Sequence, residues 1–138
     1  MRVTFELWKL FMNDLKLILP FLDKVHCERI IYLSEAKNGR NKVLSEFYHK
    51  FRNKFNQRYM THVDVDTETI YNLLISRGAP DSCYVISNDE QVDGKTLLLK
   101  DALGEIRSET GSFILCVPNK LAYFESEEIH DRWILEIS

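Results

Sequence analysis

Residues 112–138, SFILCVPNKLAYFESEEIHDRWILEIS, read as consecutive antiparallel strands. Ser112–Val117 and Leu121–Ser126 flank Pro118-Asn119-Lys120, a tight reversal. Alternate residues of a strand share a face, so Phe113, Leu115 and Val117 lie on one side and Ile114 and Cys116 on the other. Both sides are apolar, which places this strand inside a sheet covered on both faces. Leu121-Ala122-Tyr123-Phe124 repeats that property. Asp131–Ile137 supplies the last strand, with Trp133, Leu135 and Ile137 together; Glu136 on the other face points to an edge or a half-exposed surface.

Working outward, Cys83–Ser87 is a further short buried strand, followed by a turn-rich acidic loop, Asn88–Gly94. Leu97–Ile106 carries Leu99, Ala102, Leu103 and Ile106 at helical spacing, and Gly111 resets the backbone before the final sheet. Upstream, Ile70, Leu73 and Leu74 mark a helix with Asp66 as N-cap, closed by Gly78 and Pro80. Thr4–Leu19 has apolar residues three and four apart (Phe5, Trp8, Met12, Leu15, Leu19), and Pro20 stops or kinks it. Arg29–Ser34 is expected to be a short strand, and Asn38-Gly39 a turn with positive φ, followed by Asn41 as a cap. Lys42–Tyr59 is expected to be one helix, with Leu44, Tyr48, Phe51, Phe55 and Tyr59 on its core stripe. The expected architecture is a single α+β domain over residues 1–138. Its mainly antiparallel sheet has about four or five strands, concentrated late in the chain, packed by about four helices.

The chain has 138 residues, 45% hydrophobic and 28% charged, enough to build a core without disulfide or metal staples. Cys27, Cys83 and Cys116 are widely spaced, with no CxxC pair, and are expected to be reduced thiols of a cytoplasmic protein. Glu6, Lys9, Asp14 and Lys16 interrupt the apolar residues near the N-terminus, so neither a signal peptide nor a membrane span is expected.

The net charge of −3 hides a division. Residues 1–59 hold twelve Lys and Arg against six Asp and Glu, a net of +6, whereas residues 60–138 hold six against fifteen, a net of −9. Such asymmetry speaks of partners more than of fold.

No linear catalytic motif is expected from the spacing of residues. The five glycines, at 39, 78, 94, 104 and 111, are too scattered for a phosphate loop, and no G-x-S-x-G occurs. His26 and Cys27 are adjacent, an unfavourable arrangement for a Cys–His pair on a strand. His130 sits among Glu127, Glu128 and Asp131, where a solvated loop explains it better than an acid–base dyad does. No enzyme activity and no cofactor are expected. Two alternatives stay open. His62, Asp64 and Asp66 alternate and could form a metal-dependent site, although capping by Asp66 accounts for one of them. The basic face of Lys42–Tyr59 could meet nucleic acid, although its aromatics lie on the core stripe.

A small α+β chain that is acidic over its second half is built like a binding module. In size, charge and mixed composition it resembles bacterial immunity proteins, including those that neutralise contact-dependent growth-inhibition toxins. The runs YVISND (84–89), DGKTLLLKDAL (93–103) and CVPNKLAYFE (116–125) also look like a pattern found in small bacterial proteins. The resemblance implies one-to-one binding of a basic toxin domain, a nuclease for example. No membrane partner is expected, and nucleic acid is the less favoured partner. The contact acids would be Asp89, Glu90 and Asp93 in one loop and Glu125, Glu127, Glu128 and Asp131 in another.

Overall fold

The computed structural model describes residues 14–47, 51–106, 110–128 and 130–138. Most of the expected helix Thr4–Leu19 lies outside them. From Asp14 the chain makes two 3-10 turns, Asp14–Leu17 and Leu19–Phe21, with Pro20 in the second.

The centre is one antiparallel sheet of six strands in the order β1-β6-β5-β4-β2-β3. The strands are β1 Met60–His62, β2 Ser82–Ser87, β3 Thr96–Leu98, β4 Ser112–Val117, β5 Leu121–Glu125 and β6 Arg132–Glu136. Four α-helices accompany it among the described residues: α1 Lys24–Glu35, α2 Gly39–Glu46, α3 Thr67–Ser76 and α4 Leu99–Glu105. The α+β class is therefore as expected, with one strand more.

The strands apolar on both faces are the middle of the sheet: β4 lies between β2 and β5, and β5 between β4 and β6. Asn119 turns the β4–β5 reversal with φ 63°, and Lys120 N–H donates to Val117 O at 3.0 Å. β6 is not an edge, because β1 pairs along its outer side, Met60 with Leu135 and His62 with Trp133. Glu136 is nonetheless half-exposed and meets Arg77 at 3.0 Å. The edges are the three-residue strands β1 and β3, short enough to discourage pairing with another chain.

The sheet separates two cores. Phe113, Leu115, Ala122, Phe124 and Leu135 face the layer of α1, α2 and the 3-10 turns, meeting Phe21, Phe47, Phe51 and Phe55. Ile114, Cys116, Leu121, Tyr123 and Ile134 face α3 and α4. Val117, expected beside Phe113 and Leu115, packs with the second core instead. An irregular register between Leu115 and Val117 turns it over, since one extra residue inverts the alternation.

Two expectations from periodicity are corrected. Arg29–Ser34 is not a strand; it lies within α1. Asp23 caps that helix by accepting from Lys24 N–H, and burial follows helical spacing: Ile30 and Leu33 are inside while Ile31 and Tyr32 are exposed. Lys42–Tyr59 is not one helix either. α2 starts earlier, with Asn38 rather than Asn41 at its cap position (φ 60°), and 3-10 turns occupy Phe51–Lys54 and Gln57–Tyr59. The backbone there pairs with the segment 21–23 instead. Asp23 N–H donates to Lys54 O at 2.8 Å and Asn56 N–H to Phe21 O at 2.9 Å. This long-range pairing outweighs local helix formation, and it keeps Phe51 and Phe55 in the aromatic core with Phe47 and Phe124. The helix expected over Leu97–Ile106 is shorter, because Leu97 and Leu98 belong to β3.

Candidate protein-docking end of the sheet

The strand register brings together what the sequence separates. Ser87 pairs with Ser112, Ser112 with Glu125, and Glu125 with Arg132. Val63 N–H, just past β1, donates to Arg132 O at 3.0 Å. These residues form one cross-strand row, roughly 19 Å long at the usual strand spacing. The chain leaves β1, β2 and β5 at that end. The connection 88–94, the connection 126–131 and the segment 63–66 leading into α3 therefore stand side by side. Segments 63–68, 88–94 and 125–132 carry ten Asp and Glu against one Arg.

The seven acids expected to make contacts divide by burial. Glu90 and Glu128 are exposed, and Asp89 and Glu127 half-buried. Asp89 accepts from Gln91 N–H at 3.0 Å, which closes a local turn. Asp93, Glu125 and Asp131 have internal partners. Asp93 takes Arg40 Nη1 at 2.5 Å, Arg40 Nη2 at 2.8 Å and Ser87 N–H at 3.0 Å. Arg40 also holds the fully buried Asp14 through Nε at 2.9 Å and Nη2 at 2.8 Å, and Tyr84 OH donates to Asp14 at 2.7 Å. Burial opposes the Arg40 charge, but the hydrogen bonds and charges of Asp93 and Asp14 outweigh it and raise its pKa. Burial, reinforced by Asp14, raises the Tyr84 phenol.

Asp131 accepts from Ser126 Oγ, from Trp133 Nε1 at 2.5 Å and from Arg52 Nη1 at 3.0 Å. Burial pushes its pKa up, but these hydrogen bonds and the Arg52 charge prevail and hold it below the ordinary aspartate value. Glu125 accepts from Tyr123 OH at 2.8 Å, and its pKa is raised by burial, which Tyr123 and Arg132 only partly offset. The buried acids thus organise the loops, and the exposed ones decorate them.

The alternatives look different in three dimensions. Asp66 is the N-cap of α3, accepting from Thr69 N–H at 2.7 Å. His62 Nε2 meets His130 O at 2.6 Å, and His130 Nδ1 meets Asp64 Oδ1 at 2.6 Å. These contacts fasten β1 and the segment after it to the 126–131 connection, where His130 has φ 72°. Among the described residues no group of three His, Cys, Asp or Glu is placed to hold a metal. Of the basic residues in 42–59, Arg52 already pairs with Asp131 and Glu128. His26 and Cys27 sit in the first turn of α1, not on a strand. Cys27 Sγ lies 3.7 Å from both Leu19 O and Asp23 O, and burial raises its pKa, the reverse of an activated thiol. Burial also pushes Cys83 to about 11 and Cys116 to about 12.

Sequence spacing could not reveal Arg40 and Arg52 as partners of the acidic loops, or Asp14 as the second partner of Arg40, because each contact spans more than twenty residues of chain. Among the described residues no helix is long and apolar enough to cross a membrane. No protein-family model, curated protein or solved structure matches the chain.

Proposed function

We propose that this chain is a protein-binding module of the immunity type, which neutralises a basic bacterial toxin domain by docking its acidic sheet end against it. One observation supports this reading above the others: the register sets three acidic segments, far apart in sequence, along one row of strand ends. Glu90 and Glu128 lead the contact, with Asp89 and Glu127 beside them. Asp93, Glu125 and Asp131 support it by holding the loops in shape, so that little ordering is left to be done on binding. The long-range field of such a patch speeds encounter with a cationic surface and fixes its register.

The test is co-expression. A basic toxin domain, taken from a large open reading frame where one neighbours this gene, is produced in bacteria with and without this chain. Restored growth, together with one-to-one co-purification, is the expected result. Undiminished toxicity with no complex would remove the proposal.

A further inference from the structure

Behind the acidic end lies a small cavity of about 130 Å³, lined by Thr67, Ile70, Leu103, Ile106, Tyr123, Glu125 and Arg132. Its contents are unusual for so small a space. The Glu125 side chain is only 8% exposed. Its Oε2 is committed to Tyr123 OH, whereas Oε1 accepts no hydrogen bond among the described residues. Arg132 Nε is buried and has no hydrogen-bond partner among them. The two groups stand 3.7 Å apart, beyond hydrogen-bond reach. Leaving the buried Arg132 Nε–H without a partner costs free energy, although the same guanidinium donates through Nη1 to Val65 O at 2.9 Å. Ile70, Leu103 and Ile106 back the cavity, its exposed lining is mostly polar, and exposed Thr67 marks the mouth.

The geometry points to a binding site for a planar primary carboxamide. The carboxylate disfavours an anion, and the guanidinium beside it disfavours a cation, so the occupant is neutral. It must accept from Arg132 Nε–H and donate to Glu125, which one carboxamide does with its oxygen and its NH2. The volume is that of about four waters at roughly 30 Å³ each, room for a group the size of acetamide. The amide could be a free small molecule or an Asn or Gln side chain of a docking protein; the inference itself does not depend on the proposed function.

Acetamide, with acetate and methylammonium as charged controls, is titrated into the full chain while backbone amide resonances are followed. Saturable shifts confined to Thr67, Tyr123, Glu125 and Arg132 are expected with acetamide. The controls should bind at least about tenfold more weakly, as should acetamide to Arg132→Lys, the worth of one charge-assisted hydrogen bond. If that variant loses spectral dispersion, Thr67→Gln at the exposed mouth is used instead; its own carboxamide should displace acetamide. Ala-Asn-Ala competing better than acetamide would name a protein side chain as the source, and acetamide binding without such competition a free small amide. An absence of saturable shifts, or equal response to the charged controls, would mean that the cavity holds only water and overturn the assignment.

Discussion

Arg40 Nη1 lies 2.5 Å from Asp93 Oδ2, joining α2 on one face of the sheet to the connection that leaves β2. The same guanidinium holds Asp14, whose side chain is 0% exposed. One cation therefore ties the N-terminal layer, the sheet end and an acidic loop into a single body. That loop carries Glu90, so this internal ion cluster is what presents the external one.

Removing Arg40 should be costly. Arg40→Met keeps the bulk but strands the buried Asp14 carboxylate with Tyr84 as its named remaining donor. The expected loss is about 3–5 kcal/mol, the usual cost of breaking a buried pair on one side. Urea unfolding at neutral pH measures it. A loss under about 1 kcal/mol would mean that the cluster is looser than its distances imply.

The two buried acids at the sheet end should give opposite pH responses. The folded pKa of Asp131 is depressed, so its contribution is present above the unfolded value near 3.9 and is lost as pH falls through the folded value. The folded pKa of Glu125 is raised, so its contribution is fully present below the unfolded value near 4.3 and is lost as pH rises through the folded value. Measured from about pH 4 upward, wild type should therefore lose ground against Glu125→Gln, whereas Asp131→Asn should fall short of wild type most clearly above about pH 4. Urea midpoints across that range check both signs; parallel curves for all three proteins would contradict them.

Gly39 opens α2 where it crosses α1. A Cβ built there would lie 1.8 Å from Leu33 O, a backbone atom that cannot swing aside. Gly39→Ala must push the two helices apart, and the expected cost is about 3 kcal/mol. Thermal unfolding reads it out directly. An unchanged midpoint would show that the crossing yields easily.

How far the sequence reaches depends on the range of the forces that decide each element. Asp66 and the apolar pattern behind it are local, and the capped helix is found as read. The strands from Ser112 onward carry their own alternation and reversal, and β4 to β6 follow it closely. The run at Ile30-Ile31 is ambiguous by itself; Asp23, seven residues upstream of Ile30, resolves it into a helix. In 51–59, backbone pairing with Phe21–Asp23 overrides a clean helical stripe, and no local pattern announces that partner. The site shows the same limit. The acids of both loops are visible in the sequence, but the division into half-buried Asp93, buried Glu125 and Asp131 and outward Glu90 and Glu128 depends on Arg40 and Arg52 arriving from elsewhere and on Arg132 one strand over from Glu125.

The docking proposal is tested most directly by the rate of association between this chain and the toxin domain that co-expression identifies as its partner, followed by stopped flow over a range of salt. For wild type the rate should fall steeply as salt rises. The triple variant Asp89→Lys, Glu90→Lys and Glu128→Lys should associate about ten times more slowly or worse at low salt, with its unfolding midpoint lowered only slightly, since the Asp89 turn and the Glu128–Arg52 pair are exposed. A rate indifferent to salt and to the triple reversal would contradict the account.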